Sequence, residues 1–159
     1  MGKEVQRREL DYVIIRPHCF DDQAAIEQLH SENWPGSSSK KDSVSEGLTP
    51  EPTETVFIAE SGTGEVVGSI YYYPRLVDAN FHSLVVKKEY RRQGIAAELI
   101  KVAQEQAQRD GFTKIIIGAG SKNLVRYYES LGFSLISNSK KRLAKDIGTT
   151  NRPIDNNNL

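Results

Sequence analysis

One stretch decides the fold: residues 80–110, which read NFHSLVVKKEYRRQGIAAELIKVAQEQAQRD. It starts with a short apolar run at 81–86, typical of a strand, and this run ends in polar residues at 87–89. After Gly94 the apolar residues recur at helical spacing, at Leu99, Ile100, Val102, Ala103 and Ala107. The first amides of such a helix have no partner inside the helix, and the helix dipole adds partial positive charge there. The stretch therefore predicts a strand, a turn and a helix that together form an anion-binding site.

The turn between the predicted strand and helix is rich in small residues. Gly94, Ala96 and Ala97 leave room for a large anion to approach the backbone, and Arg91 and Arg92 add positive charge. The dinucleotide fingerprint would need three glycines here, and a P-loop would need Gly-Lys followed by Ser or Thr. The turn matches neither of these two motifs.

Two segments give the chain a family resemblance. Residues 86–96 contain Arg91-x-x-Gly94-x-Ala96 after Tyr90, and this pattern resembles the acetyl-CoA-binding segment of the GNAT superfamily of N-acetyltransferases. Residues 128–133, Tyr-Glu-Ser-Leu-Gly-Phe, resemble the Tyr-Glu-x-x-Gly-Phe segment of the same family. The resemblance implies an acyltransferase that uses acetyl-CoA as co-substrate.

The predicted elements indicate one α/β domain. Strands come first in antiparallel succession and then in a strand-helix-strand-helix section, an order that favours a mixed sheet. The resemblance implies a GNAT-like fold with a mixed central β-sheet of six to seven strands, flanked by helices and splayed between strands 4 and 5. It places acetyl-CoA in the resulting cleft. We expect the N-acetyltransferase domain to cover residues 1–147 and residues 148–159 to form a disordered tail.

Apolar patterns and chain breakers predict the other elements. Strands are expected at 12–16, 55–60, 65–73, 113–119, 133–137 and 141–146, and helices after Asp21 or Asp22, which would cap the first one, and at about 123–131. Pro17 is expected to stop the first strand. Residues 35–52 are rich in Ser, Gly, Pro and charges, so we expect a long loop with at most one helical turn at 44–48.

Composition narrows the possible partners and compartments. The chain has 159 residues with 21 basic and 21 acidic side chains, so we expect neither nucleic acid nor an anionic membrane as partner. The single cysteine, Cys19, rules out an internal disulfide and, with three histidines at unrelated spacings, predicts no metal site. Neither an export signal nor a spanning apolar run is recognisable, so we expect a cytoplasmic protein.

The resemblance assigns residues to the co-substrate. It implies that the pyrophosphate of CoA is held by the backbone of the turn, which comprises Arg91, Arg92, Gln93, Gly94, Ile95, Ala96 and Ala97. The preceding strand, through Leu84, Val85 and Val86, would pair with the pantetheine arm. The N–H of Val86 or its neighbour would then polarise the thioester carbonyl, as in an oxyanion hole. The side chains of Val85 and Val86 are expected in the core.

Two residues are candidates for proton transfer. Tyr128 matches the acid of the family, and a phenol with a pKa of about 10 can protonate a departing thiolate. The alternative is that Tyr128 only packs against the sheet, as we expect of Tyr127. His82 lies where some family members carry a catalytic Glu, and an ordinary imidazole pKa of about 6.5 suits a base. Its alternative is a half-buried structural histidine.

One position departs from the family pattern. The family often carries an Asn seven residues before the acid, where this chain has Ser121, and the asparagine falls at Asn123. Either Ser121 takes over the hydrogen bond to the CoA arm, or the loop is shifted and Asn123 makes it. Asn123 is equally well explained as the N-cap of the following helix.

The acceptor is the least determined part of the prediction. Acidic and aromatic residues near the expected groove suit a cationic amine, or else form a solvated loop: Glu32, Trp34, Asp42, Glu46, Glu51, Glu54, Tyr71 and Tyr73. The leading hypothesis is acetyl transfer to a primary amine of a small molecule by direct attack in a ternary complex. The alternatives are a peptide or protein substrate (a Lys or the N-terminus) and a non-catalytic CoA-binding sensor module. A homodimer is an open alternative to a monomer.

Overall fold

In a computed structural model of the chain, residues 12–33 and 54–148 are described. They form a central sheet whose strands are β1 (Ile14–Pro17), β2 (Thr55–Glu60), β3 (Val66–Pro74), β4 (Ala79–Val86), β5 (Lys114–Gly118), β6 (Ser134–Leu135) and β7 (Arg142–Asp146). Its helices are α1 (Gln23–Asn33), α2 (Ile95–Arg109) and α3 (Lys122–Ser130), and short 3-10 turns lie at Phe20–Asp22 and Lys88–Tyr90.

The strands form one seven-stranded sheet in the order β1-β2-β3-β4-β5-β7-β6. Every neighbouring pair is antiparallel except β4 and β5, which are parallel. Parallel strands need a crossover connection, and α2 provides it. The predicted α/β class with a mixed sheet flanked by helices is therefore confirmed.

β4 and β5 separate after a short contact. Only the first three residues of β4 pair with β5, with Ala79 opposite Ile115 and Phe81 opposite Ile117. On its other side β4 pairs with β3 along most of its length, with one irregularity between Ser69 and Tyr71. At that irregularity Ser83 of β4 has a φ of 52°, as expected for a bulge. The splay predicted between strands 4 and 5 is thus present and leaves one edge of the end of β4 unpaired by β5.

The two faces of the sheet are covered differently. Helix α2 packs on one face with a stripe of buried residues, namely Ile95, Leu99, Ile100, Ala103 and Ala107. Burying each of the large ones stabilises the fold by about 1.5–3 kcal/mol. On the opposite face Ile26 of α1 packs with Val56, Ile58 and Tyr71. Helix α1 thus packs over β2, β3 and β4 on this face.

Predicted and observed boundaries differ at the first strand and helix. β1 begins at Ile14 and ends at Pro17, which is itself the last residue of the strand, opposite Phe57, because an edge strand tolerates a residue without an N–H. Asp22 is not the N-cap of α1. It lies in the 3-10 turn, where its carboxylate accepts the N–H of Cys19 at 2.8 Å and two bonds from Arg16 at 2.8 and 2.9 Å. The Arg16 guanidinium holds the pKa of Asp22 well below its usual range.

Some predictions concern residues outside the described ranges. These are Trp34, the loop at 35–52 with its possible helical turn, and nearly all of the predicted tail. In the ranges the structure does describe, no helix is long and apolar enough to cross a membrane.

Candidate active site

The turn before α2 has the backbone of an anion site. Gly94, the N-cap of α2, has a φ of 83°, and Arg92 has a φ of 63°. Glu98 makes the first helical bond, to the carbonyl of Gly94 at 3.0 Å, so the amides of Ile95 and Ala96 precede the intrahelical ladder. Left-handed residues in a turn gather successive N–H groups into a concavity, and the helix dipole adds to its positive potential.

The end of β4 presents its backbone to the same place. The N–H of Lys87 donates to Val67 of β3 at 2.7 Å, and main-chain groups alternate in direction along a strand. Those of Val86 therefore face away from β3, toward the gap where β5 has diverged. The carbonyl of Val86 accepts a bond from Arg91 Nε at 2.9 Å, and Arg91 Nη2 donates to Asn33 Oδ1 at the end of α1. Arg91 thus joins the strand, the turn and α1.

These groups line a cavity of about 680 Å³, here called the turn cavity. Its predicted lining residues are Leu84, Val85, Val86, Arg91, Arg92, Gly94, Ile95 and Ala96. Four further lining residues were not predicted: Asn33, Tyr90, Leu124 and Tyr127. Among the predicted site residues, Gln93, Ala97, Ser121, Asn123 and Tyr128 are not part of this lining. The structure brings strand, turn and α3 together around one space that could hold an extended anionic ligand.

Tyr128 lies in the core behind the turn cavity. Tyr128 is 3% exposed, and its ring centroid lies 6.0 Å from that of Phe133 and 5.8 Å from that of Tyr127. Burial raises the pKa of Tyr128 to about 12, so its hydroxyl keeps its proton at neutral pH. Tyr127, which we expected only to pack, is half-buried against the core and also lines the cavity.

The start of α3 corrects the prediction for Asn123. Ser121 is the N-cap, and its hydroxyl accepts the N–H of Leu124 at 3.2 Å. Asn123 is the second residue of the helix and is exposed, so the alternative that it caps the helix is wrong. A serine in extended conformation before the helix is as good an N-cap as asparagine, which is why residue type alone did not decide between them.

A second cleft, here called the sheet cleft, opens on the same face of the sheet as α1, and no α1 residue is among its described lining residues. Its volume is about 530 Å³, and it is lined by Glu54, Tyr73, Arg75, Asn80, Phe81, His82, Ile116, Gly118 and Arg142. Cross-strand pairing brings these residues together, with Tyr73 opposite Asn80, Asn80 opposite Ile116 and Gly118 opposite Arg142. The cleft therefore adjoins the start of the splay between β4 and β5.

His82 has a partner on each ring nitrogen. Its Nε2 contacts Oε1 of Glu54, and its Nδ1 lies 2.9 Å from Oγ of Ser83. The ring of Tyr71 stacks at a tilt, with a centroid distance of 5.0 Å. The His82 side chain is 43% exposed whereas that of Glu54 is 6% exposed, so a buried carboxylate contacts an imidazole that reaches the surface. The contact between Glu54 and His82 was not predicted. It arises because Glu54 directly precedes β2 and His82 lies on β4, and these two strands flank β3 in the sheet.

A buried histidine lies beneath this group. His30 of α1 is 3% exposed, its Nε2 lies 3.1 Å from Oγ of Ser69, and its ring meets that of Tyr71 edge-on at 5.8 Å. Burial, with a smaller contribution from His82, lowers the pKa of His30 to about 4. His30 is therefore neutral at pH 7 and joins α1 to β3.

The other predicted acceptor residues are spread out. Glu32 is exposed on α1 and accepts a bond from Gln28 at 2.9 Å, away from both cavities. Trp34, Asp42, Glu46 and Glu51 are outside the described residues. Over the described ranges, no group of three or more His, Cys, Asp or Glu side chains could hold a metal ion.

Comparison with known proteins now gives the class. The sequence model of one family, described as an acetyltransferase (GNAT) domain, matches residues 16–145. The chain belongs to this GNAT acetyltransferase family, and the predicted family is confirmed. No sequence among the curated proteins matches the chain.

Solved structures agree on the fold. A GNAT-family acetyltransferase from Staphylococcus aureus Mu50 is 12% identical, with a TM-score of 0.73 over 86% of this chain and 100% of its own. The PaiA N-acetyltransferase from Thermoplasma acidophilum, in complex with coenzyme A, is 14% identical with a TM-score of 0.72 over 85% and 99%. An aminoglycoside 6'-N-acetyltransferase complexed with coenzyme A is 18% identical, with a TM-score of 0.71 over 85% and 97%.

Proposed function

We propose that this protein is an N-acetyltransferase that moves an acetyl group from acetyl-CoA to a primary amine of a small molecule. The observation that carries the proposal is the turn cavity, where the open backbone edge of β4 and the N-terminus of α2 face one space. Family membership supports the reaction class, and the coenzyme A in two of the similar structures supports the co-substrate.

In this proposal the co-substrate is held mainly by backbone. The amides from Arg92 to Ala97 receive the pyrophosphate at the start of α2. Arg92 is exposed on the cavity wall and can add a charged contact, whereas the guanidinium of Arg91 already binds Val86 and Asn33. The pantetheine arm pairs with the outward-facing backbone between Leu84 and Val86. Ser121 and Asn123 stay candidates for a hydrogen bond to the CoA arm.

The thioester would be activated at the end of β4. Since main-chain groups alternate in direction along a strand, the N–H of Val86 points into the gap, and it can donate to the carbonyl oxygen as charge develops on it. The amine nitrogen attacks the carbonyl carbon, the carbon–sulfur bond breaks, and the thiolate takes a proton. Tyr128 is the proposed donor, because it matches the position of the acid in the family pattern and no described residue hydrogen bonds to its hydroxyl.

The amine must lose a proton, and His82 is the proposed acceptor. An alkyl amine with a pKa near 10.4 is only ~0.04% neutral at pH 7, so a base contributes most with such substrates. The Glu54 carboxylate can only accept a hydrogen bond, so it fixes the Nε2–H form of His82 and leaves Nδ1 basic. Ser83 lies 2.9 Å from Nδ1, on the bulge of β4, and its hydroxyl can pass a proton from the amine to the imidazole.

The volume of the sheet cleft supports a small acceptor. About 530 Å³ lies in the range of small-molecule sites, and His82 lies on its wall. A small amine therefore fits the described geometry better than a protein substrate.

The direct test follows release of the CoA thiol from acetyl-CoA with polyamines, amino acids, aminoglycosides and short peptides as acceptors. Thermal stabilisation by acetyl-CoA is measured alongside. The proposal predicts stabilisation together with turnover on at least one class of small amine. Stabilisation with turnover on peptides alone would indicate a peptide or protein substrate, and stabilisation without any turnover would indicate a CoA-binding module. Absence of stabilisation would contradict the proposed co-substrate.

A further inference from the structure

The charges of the sheet cleft do not match a purely cationic substrate. Among its lining residues are two arginines, Arg75 and Arg142, and one acidic residue, Glu54. The carboxylate of Glu54 is already in contact with His82. The nearby Asp78 accepts a bond from Asn80 at 2.8 Å. The described part of the cleft therefore offers two guanidinium groups against one carboxylate that has its own partner.

Both guanidinium groups are available to a ligand. Arg75 follows β3, and its Cζ lies 5.8 Å from the ring centroid of Tyr73, a stacking contact that leaves its N–H groups open. Arg142 is exposed at the start of β7. No acidic residue in the described ranges forms an ion pair with either of them.

Sheet order brings Arg142 to the cleft. Residues 142 and 118 are cross-strand partners, and Gly118 lies on β5, the strand that diverges from β4. Gly118 has no side chain, and apart from its chain neighbours no described residue has an atom within 4 Å of the position its Cβ would take. The surface between Arg142 and the end of β4 is thus open, and His82 and Arg142 line the same space.

We propose that the acceptor is an amine that also carries an oxyanion, a carboxylate or a phosphate monoester, which Arg142 and Arg75 bind while the amine faces His82. This inference rests on the proposed acetyl transfer and names its substrate class. Guanidinium groups bind both oxyanions in two-point geometry, so the shared chemistry is what the cleft recognises. In this arrangement Glu54 orients His82 and does not bind the substrate amine.

Matched amine pairs test the inference. The pairs are L-methionine with L-methioninamide, and O-phosphoethanolamine with ethanolamine; spermidine is the cation without an oxyanion. The variants are Arg142→Gln and Arg75→Gln, with Arg109→Gln at the exposed end of α2 as the matched control. For each variant kcat/KM is measured on both members of a pair. The within-pair ratio, compared with wild type, cancels the intrinsic reactivity of each amine.

Arg142→Gln is expected to lower kcat/KM for one anionic member by about 10- to 100-fold, mainly through KM, the size expected for hydrogen bonds to a charged group. Its partner without the oxyanion should change by less than about threefold, and Arg109→Gln should change neither. A loss confined to the methionine pair identifies a carboxylate, and a loss confined to the phosphoethanolamine pair identifies a phosphate. Equal effects on both members of each pair, or turnover with spermidine alone, would overturn the inference while leaving acetyl transfer intact.

A binding measurement separates this inference from the proposed function. Calorimetric titration of the same amines is carried out with and without CoA. Preferential binding of an anionic member, lost in Arg142→Gln, supports the oxyanion site even if acetyl-CoA does not bind. Binding of acetyl-CoA without any preference for the anionic members overturns the oxyanion site.

Discussion

The two cavities of this protein are built in different ways. The turn cavity is lined mainly by residues of one continuous stretch, from Leu84 to Ala96, and its proposed anion site is the backbone before α2. The sheet cleft is formed by side chains from five separate places, before β2, at the end of β3, and on β4, β5 and β7. The comparison shows that the part of the site that matches the family is local and carried by the backbone. The proposed choice of acceptor depends on side chains that meet only after the sheet has formed.

This difference sets what each cavity tolerates. A backbone site depends on dihedral angles, so most side-chain changes around Gly94 should be mild unless they disturb its positive φ. A side-chain site loses a specific interaction with each substitution. Binding of the co-substrate and discrimination among acceptors should therefore respond to different mutations.

The largest effect is expected from Tyr128→Phe. Removing the proposed acid should lower kcat by about 100-fold or more, while the ring remains packed against Phe133 and the Kd of acetyl-CoA stays within about twofold. Steady-state kinetics with the best amine and calorimetric binding measure the two quantities. Tyr127→Phe is the matched control, since it removes a hydroxyl from the wall of the turn cavity. A kcat for Tyr128→Phe equal to that of the control would rule out the acid role.

The next effect concerns the base and its support. His82→Ala should lower kcat by about 100-fold, and Glu54→Gln by about tenfold, because the imidazole loses the group that orients it. In Glu54→Gln the loss should fall on kcat, with the Kd of acetyl-CoA within about twofold of wild type, because the substitution changes only the group that orients the imidazole. Glu32→Gln, an exposed carboxylate outside the cleft, is the control. A kcat for Glu54→Gln equal to that of Glu32→Gln would contradict the orienting role of Glu54.

At neutral pH the smallest effect is on stability beneath the sheet cleft, and it grows as the pH falls. His30 has a folded pKa of about 4, below the ordinary value of 6.5, so the unfolded state binds its proton first as the pH falls. As the pH falls from 6.5 to 4, His30 therefore lowers the free energy of unfolding by about 1.4 kcal/mol for each pH unit. Denaturant unfolding of His30→Gln should show a shallower fall than wild type over this window, relative to each protein at pH 8. Parallel curves would show that His30 is not buried as a neutral group.

The sequence allowed the turn cavity to be predicted more fully than the sheet cleft. The strand, the turn and α2 follow from apolar spacing and from Gly94, because all their determinants are adjacent in the chain. Arg142 could not be placed beside His82 in the same way. Its strand, β7, lies between β5 and β6 in the sheet, and the sequence does not show that β7 pairs with β5. The contacts of Tyr127 and Asn33 with the turn cavity likewise depend on how α3 and α1 dock.

Local reasoning also failed where two residues compete for one role. Ser121 and Asn123 are both good caps, and the dihedral angles of Ser121 decide between them. Asp22 looked like a cap, but the bidentate pair with Arg16 determines its position. Such choices depend on tertiary contacts that no spacing rule contains.

The central claim is that the turn at Gly94 binds the pyrophosphate of acetyl-CoA, and calorimetric titration with acetyl-CoA tests it most directly. The proteins compared are wild type, Gly94→Val and Gly111→Val. Both glycines have positive φ, 83° and 91°, with no atom near the position of a Cβ, so valine strains the backbone similarly at the two ends of α2. We expect the Kd to rise at least about tenfold for Gly94→Val and to stay near wild type for Gly111→Val. Equal affinity in all three proteins, with each folded, would contradict the account.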